Sequence, residues 1–419
     1  MSYLYASSGS SEGAGEFRRH WRLLLAATAG VICSSVVLPF YTIGTLLKPV
    51  TAEFGWSRAE FQSAILFSAT LGALAGPLVG WLIDRYGSRR IAVPGLVGLS
   101  LGFFVASMMD GSLGVFYGAY ACMALLGAGT TPITWTRAVG TAFTRRRGLA
   151  LGLALSGTGI CAMAAPLFTV WLLERAGWRG AYVGLGLLPL LLALPLVLWG
   201  FRGEGRTAAP SAAPSPEATG LTVREALRGY RFWVLLGSVF LAYMAVSGIG
   251  PNLIPALTDQ GLSPTQAALL QGIYGASIIG ARILVGWLVD HFWAPGVACA
   301  SLLLPVAGCL ILSAPASLPL QGLAMALIGF AAGAELDLMS FLAARYFGMR
   351  HYGAIYALLY AALAVCSGTA PALFALVQDR SGSYDAAFAG AALLFLLSAL
   401  VVLTLGRYPG GSRGAPAAA

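Results

Sequence analysis

Predominantly apolar runs of 17–25 residues recur from one end of the 419-residue chain to the other, each long enough to cross a bilayer as a helix. Few folds are compatible with that recurrence. A helix satisfies its backbone hydrogen bonds internally, as hydrocarbon requires, and the ten-residue alternation of a membrane β-barrel is missing from the sequence. Composition agrees: 58% of residues are hydrophobic, 10% are charged, and the mean hydropathy is +0.80. A water-soluble protein of this size builds its core with far less apolar content. The 54 glycines suit close helix contacts and hinges. The expected fold class is all-α integral membrane, with twelve transmembrane helices.

The spans read as 22–44, 61–83, 91–109, 113–136, 148–171 and 178–200, then 232–256, 266–288, 296–314, 319–343, 352–377 and 386–406. They divide the chain into a tail (1–21), a six-helix bundle (22–200), a linker (201–231), a second six-helix bundle (232–406) and a short tail (407–419). The first tail has neither the short apolar core nor the cleavage site of a secretory signal, so no cleaved peptide is expected. The linker carries GEGRTAAPSAAPSPEATG, a flexible composition, and LTVREALRGYRFW after it reads as a short amphipathic helix leading into span seven. The six cysteines all fall inside spans without metal-ligand spacing and read as small buried hydrophobes.

With both termini inside, 18 of the 25 Lys and Arg residues fall on cytoplasmic segments, whereas the acids divide seven and seven with two more in the membrane. The positive-inside rule counts only the basic residues, so the net charge of +9 is a topology signal and not a nucleic-acid footprint. The expected location is the cell (inner, plasma) membrane, multi-pass, with both termini cytoplasmic and the chain monomeric.

Shifted by 206 residues, the sequence matches itself. GWLIDR at 80–85 falls on GWLVDH at 286–291, and LLKPVTAEFGWS at 46–57 falls on NLIPALTDQGLS at 252–263. MALLGAG at 123–129 answers MALIGFA at 325–331, and LERAGWRGAY at 173–182 answers QDRSGSYDAAF at 378–388. A duplicated six-helix unit predicts two pseudo-repeats with a binding site between them.

GWLIDRYGSRR, after span two, resembles the loop motif of the major facilitator superfamily. The resemblance implies that fold, with alternating access, and a gating role for Gly80, Asp84, Arg85, Arg89 and, in the degenerate second copy, Asp290. Gly80 would permit close packing, and Asp84 would pair with arginines to lock the cytoplasmic side in one state. A narrower resemblance, to the monocarboxylate transporters and their bacterial relatives, rests on LLKPVTAEFGWSRAEF after span one, FTRRRGLALGLALSGTGI opening span five, and a lone Arg282 four residues before Gly286. It implies that Arg282 binds a substrate carboxylate. Two departures stand against copying the family's proton mechanism: Tyr41 stands where the animal members have a lysine, and Ile278 where they have an aspartate.

Ionisable groups at membrane depth are costly and mark function by default. Arg282 is the strongest of them, because its counterpart in the first repeat is Gly76 and duplication alone does not require it. A guanidinium grips a carboxylate with two parallel bonds and keeps its charge. Arg137 is a weaker substrate-binding candidate that could snorkel to the cytoplasmic surface. Tyr41, Tyr120, Asn252 and Tyr274 are the polar groups expected to complete a substrate site, with Tyr117, Tyr356 and Tyr360 less distinctive.

Glu335 and Asp337 interrupt span ten and are the candidates for proton coupling. Residues two apart on a helix point about 200° from each other, so both cannot face one cavity. Asp337 shares its face with Gly333, Ser340 and Ala344, which suits a watery interior; Glu335 shares its face with Ile328, Ala331, Met339 and Leu342, which suits helix packing. One acid is expected to carry the proton and the other to pair with a base, Arg345 or Arg137, although a pair with Arg282 is also within reach. His20, His291 and His351 read as cytoplasmic, so no histidine relay is expected.

These residues predict a secondary transporter that moves a small organic anion, a carboxylate, with a proton, using no cofactor and no metal. The alternative is a proton-driven exporter of a small amphipathic metabolite or drug; SGTGICAMAAPL in span five lacks the GPxxGG-type motif usual in drug antiporters. No nucleotide loop, metalloprotease motif or hydrolase elbow is present in the sequence to suggest an enzyme.

Overall fold

A computed structural model of the chain describes residues 5–143, 146–201 and 220–408. Most of the expected linker, the second tail from 409 and the start of the first tail lie outside these residues; from Tyr5 the first tail is already helical. Span one comprises α1 (Tyr5–Ile32) and α2 (Leu38–Phe54), span two α3 (Arg58–Gln62) and α4 (Ala64–Tyr86), and span three α5 (Ser88–Ser107). Span four comprises α6 (Leu113–Leu126) and α7 (Pro132–Ala142). Spans five and six are built from α8 (Arg147–Leu155), α9 (Gly157–Leu188) and α10 (Leu194–Gly200). The second half opens with α11 (Val223–Arg228), the short helix expected before span seven. It continues with α12 (Tyr230–Asp259), α13 (Pro264–His291), α14 (Ala294–Leu312), α15 (Leu318–Phe347), α16 (Tyr352–Ser381) and α17 (Asp385–Leu403).

Among the described residues, nine runs are long and apolar enough to cross a membrane, and they are consistent with twelve spans. One run, Arg147–Gly200, holds both span five and span six, divided where Gly177 turns the chain at φ 66°. Spans one and four are absent from the nine because each is broken midway.

Local chemistry at the span-one turn and its repeat partner explains why the two halves fold alike. Gly55 and Gly261, equivalent under the duplication, both take positive φ, at 71° and 93°, to reverse the chain. Two residues later Ser57 and Ser263 each cap the next helix, and the residue three further on, Glu60 or Gln266, bonds back to the cap's amide at 2.8 and 3.0 Å. A third capping box, Thr222 with Glu225, starts α11 and holds the Glu225 carboxyl below its ordinary range through the bonds from Thr222.

The break in span one overturns the reading of 22–44 as a single helix that ends at 44. Helix α1 stops at Ile32, α2 resumes at Leu38, and Pro39 sits in the restart where its missing N–H costs nothing. The opening in span four lies opposite. The Ser35 amide donates to Thr130 Oγ1 at 2.9 Å, and the Trp135 indole donates to the Thr130 carbonyl at 2.8 Å. Unwound backbone at membrane depth must find partners inside the protein; the break in span four supplies one to the break in span one, and Trp135 supplies one to the Thr130 carbonyl from within span four.

The second half packs around one apolar core, which also takes in Ala162 and Val170 of α9, the first half around several smaller ones, and Tyr41 touches cores of both halves. Where the halves meet, α9 lies against α13, α2 against α12, and α3 and α4 against α16. Gly159 and Gly275 let two backbones cross so closely that a Cβ on either would fall within 2.6–2.8 Å of the other's carbonyl oxygen.

Thr130→Val removes the acceptor for a buried amide and should lower unfolding free energy by about 1–3 kcal/mol. Thr136→Val makes the same chemical change at a hydroxyl that bonds only within its own helix, and should be near neutral. Thermal unfolding of both variants in detergent distinguishes the break from generic helix stability.

Candidate functional site

Arg282 lies on α13 with its side chain only 8% exposed, and its Nη1 meets Asp337 Oδ1 of α15 at 3.3 Å. Its Nε is buried without a partner. A tight charge-assisted bond of this kind runs about 2.7–2.9 Å, so the pair is in contact without being clamped. Asp337 is the open side of the pair, its side chain 37% exposed.

Glu335, two residues earlier on α15, points the other way, as helical geometry requires. It is 5% exposed, and neither carboxyl oxygen has a hydrogen-bond partner. Around it, within electrostatic reach, are Tyr243 of α12, Tyr274 of α13 and Cys366 of α16. The two acids therefore face different surroundings, one beside a cation and one among phenols and a thiol. The expected pairing of an acid with Arg345 or Arg137 is not formed. Arg345 lies over the Phe341 and Tyr408 rings, and Arg137 is engaged elsewhere.

Aromatic side chains surround the pair. Tyr41 on α2 stands within reach of the Arg282 charge, with its ring 6.5 Å from that of Tyr274. On α16, Tyr352, Tyr356 and Tyr360 form a ladder, with ring centroids 5.6 and 6.4 Å apart, and Tyr356 feels both Arg282 and Asp337. From sequence Tyr356 and Tyr360 are only less distinctive candidates, and neither Tyr352 nor Tyr243 is among the expected site residues. The signal was the i, i+4, i+8 spacing in HYGAIYALLY, which aligns three rings on one face. Among the described residues, no group of three or more His, Cys, Asp or Glu could hold a metal ion.

The remaining expected site residues lie apart from Arg282. Tyr120 is 1% exposed in the core of the first bundle, its ring 5.1 Å from Phe116. Asn252 is 1% exposed with its amide already used. Its Nδ2 donates to the Gly248 and Pro371 carbonyls, and its Oδ1 accepts from Tyr384 and from Gln62 across the bundle boundary. Arg137 forms an ion pair with Asp84, tying α7 to the end of α4 inside the first bundle, so the structure groups Arg137 with the GWLIDRYGSRR motif and not with Arg282. Arg85 lies over the Trp81 and Tyr86 rings, Arg89 reaches the Leu198 carbonyl at 3.5 Å, and Asp290 is exposed at the end of α13. The close packing expected at Gly80 is not seen: a Cβ there would meet nothing within 4 Å.

At the opposite end from Asp84, the two bundles are held together by charge. Asp259 of α12 takes Arg58 with two bonds, at 2.5 and 3.1 Å, and Lys48 at 2.8 Å. Asp379 of α16 caps α3 by accepting the Arg58 and Ala59 amides at 3.2 and 2.9 Å. Glu53, the repeat counterpart of Asp259, stays within its own bundle, accepting from Trp178 and Arg179 at 2.5 and 2.9 Å. Equivalent acids thus do different work, one within a bundle and one between bundles.

The family model of the Major Facilitator Superfamily matches residues 23–371 and 235–419. Human monocarboxylate transporter 11 is 30% identical over 288 residues, covering 66% of this chain and 58% of that protein, so the match takes in less than two thirds of the relative's length. Bovine (Bos taurus) monocarboxylate transporter 13 is 27% identical over 398 residues, with 88% of each chain covered. A solved bacterial homolog of the human lysosomal transporter Spinster, inward-facing and occupied, shares the fold with a TM-score of 0.67 at 18% identity, covering 93% of this chain and 94% of that one.

The Arg282–Asp337 contact predicts non-additive stability. In a double-mutant cycle of Arg282→Gln and Asp337→Asn, thermal unfolding should give a coupling of at least about 0.5 kcal/mol. Additive effects would show that the two side chains do not interact.

Proposed function

The chain belongs to the major facilitator superfamily, and on that premise we propose that it carries a small organic anion, a carboxylate, across the membrane together with a proton. The observation that carries this reading is the Arg282–Asp337 pair, a mostly buried cation opposed by a more open acid at 3.3 Å. Names of relatives, monocarboxylate transporters among them, support the substrate class.

Charge counting gives the coupling. The resting pair is neutral. A substrate carboxylate that takes Asp337's place on the guanidinium would leave an unpaired negative charge at membrane depth, which is unfavourable. Protonation of Asp337 restores neutrality, so substrate and proton bind together and leave together. Arg282 holds the anion, Asp337 exchanges places with it, and Tyr41 and Tyr356 line the approach. Glu335, with no ionic partner, is the second protonatable group of the site.

Rocking of one bundle against the other would expose the site alternately. On the orientation expected from charge, both termini are cytoplasmic in the cell membrane, and the Asp259 end faces outward. The Asp259–Arg58–Lys48 contacts then close the outer side while the Asp84–Arg137 pair sits at the inner end of the first bundle.

Reconstitution into liposomes tests the proposal. An inward proton gradient should drive uptake of a labelled monocarboxylate, and other carboxylates should compete. Arg282→Ala should abolish both uptake and thermal stabilisation by carboxylates, and Asp337→Asn should slow proton-driven uptake at least about tenfold. Stabilisation by cations instead of carboxylates, or proton-coupled uptake that survives both Asp337→Asn and Glu335→Gln, overturns the reading. Accumulation in the opposite direction under the same gradient identifies an exporter.

A further inference from the structure

A crevice of about 360 Å³ opens between the bundles at the Asp259 end, with walls that include Thr45 and Lys48 of α2, Glu174 and Trp178 of α9, and Thr258 of α12. We infer that Lys48, in this crevice, is a capture site for the substrate carboxylate. Its ammonium is freed when the Asp259 end parts and masked by Asp259 when it closes. The inference rests on the carboxylate reading and on the outward orientation given above.

Four observations converge on Lys48. First, its side chain is 40% exposed in the crevice wall, reachable from water although the bundles are in contact. Second, its partner lies across the boundary. Lys48 belongs to the first bundle and Asp259 to the second, so separating the bundles separates the charges. Asp259 keeps its two bonds to Arg58 in the closed state without help from Lys48. Third, duplication does not explain the residue: Lys48 falls on Ile254 of the second repeat, just as Arg282 falls on Gly76. Both cations are additions to the repeated unit.

The fourth observation is a stripe. Tyr41, Thr45 and Lys48 are spaced i, i+4 and i+7 on α2, so they share one face, and seven residues rise about 10.5 Å. Tyr41 stands within electrostatic reach of Arg282. Thr45 lines the crevice with its hydroxyl buried and without a hydrogen-bond partner, 6% exposed. The stripe therefore runs from an ammonium at the mouth, past an unsatisfied hydroxyl, to a phenol within electrostatic reach of the Arg282 guanidinium. Each group is suited to a carboxylate oxygen. Closure returns Asp259 to Lys48, which displaces the bound anion toward Arg282.

Two substitutions separate this role from that of a simple latch. In a latch, Lys48→Gln and Asp259→Asn break the same pair and shift transport in the same direction. In the capture role they act oppositely. Oriented proteoliposomes would be assayed with radiolabelled acetate, lactate and benzoate supplied from the Asp259 side or the Asp84 side. Lys48→Gln should raise the half-saturating concentration from the Asp259 side about tenfold, equivalent to about 1.4 kcal/mol, and leave the Asp84 side unchanged. Lys48→Arg should retain wild-type behaviour, and Asp259→Asn should lower the value from the Asp259 side. Parallel shifts in Lys48→Gln and Asp259→Asn, or a Lys48→Gln effect equal from both sides, overturn the inference while carboxylate transport stands. Wild-type protein that carries none of these acids, or Arg282→Ala that carries them normally, brings down the parent reading and this one with it.

Discussion

Backbone polar groups in hydrocarbon have no water to fall back on, and most of this architecture follows from that constraint. It makes the chain helical. It also governs where a helix can stop: the break in span one lies beside the break in span four, where the Thr130 hydroxyl receives the Ser35 amide and the Thr130 carbonyl receives the Trp135 indole. The span-one break is tolerable because the span-four break lies beside it and accepts its amide, while Trp135 satisfies the Thr130 carbonyl from within span four. Elsewhere helices pack through glycines, as at Gly159 and Gly275, where backbone meets backbone between the bundles.

Against that apolar background, the placement of charge distinguishes structure from transport. Glu53 and Asp259 occupy equivalent positions in the two repeats, yet Glu53 fastens a turn within its own bundle and Asp259 fastens one bundle to the other. Asp84 and Arg137 secure the other end of the first bundle. Arg282 and Asp337 also meet within one bundle, α13 against α15, but loosely. They oppose each other at a distance longer than a tight ion pair, beside a ladder of tyrosines. A pair so arranged is open to exchange with a third charge, which is the property a proton-coupled carrier of anions would use.

Much of this was legible in the sequence, for physical reasons that differ from one feature to the next. Span count follows from apolar length, and the duplication from self-similarity, with the paired Gly55/Gly261 turns and serine caps as its structural expression. Helical phase alone separated Asp337 from Glu335. The breaks in spans one and four were not legible, because a Ser-Ser or Gly-Thr segment in an apolar run is compatible with continuous helix until its partner is known. Tyr120 and Asn252 read as depth-appropriate polar groups, but depth does not report direction. Tyr120 turns into a bundle core, and the Asn252 amide is consumed by four bonds near the bundle boundary.

What the sequence determined by itself is the set of elements: a helical membrane protein of two like halves, with a cation at 282 and two acids at 335 and 337 that the repeats do not account for. These are properties of composition, length and period, which survive without knowledge of contacts. Which charge meets which was decided only by the tertiary structure. Arg282 had Asp337 or a substrate to choose from, Arg137 had Glu335, Asp337 or Asp84, and Asp259 had partners in either bundle. An ion pair forms between side chains from helices far apart in sequence, and their mutual distance is set by how those helices cross.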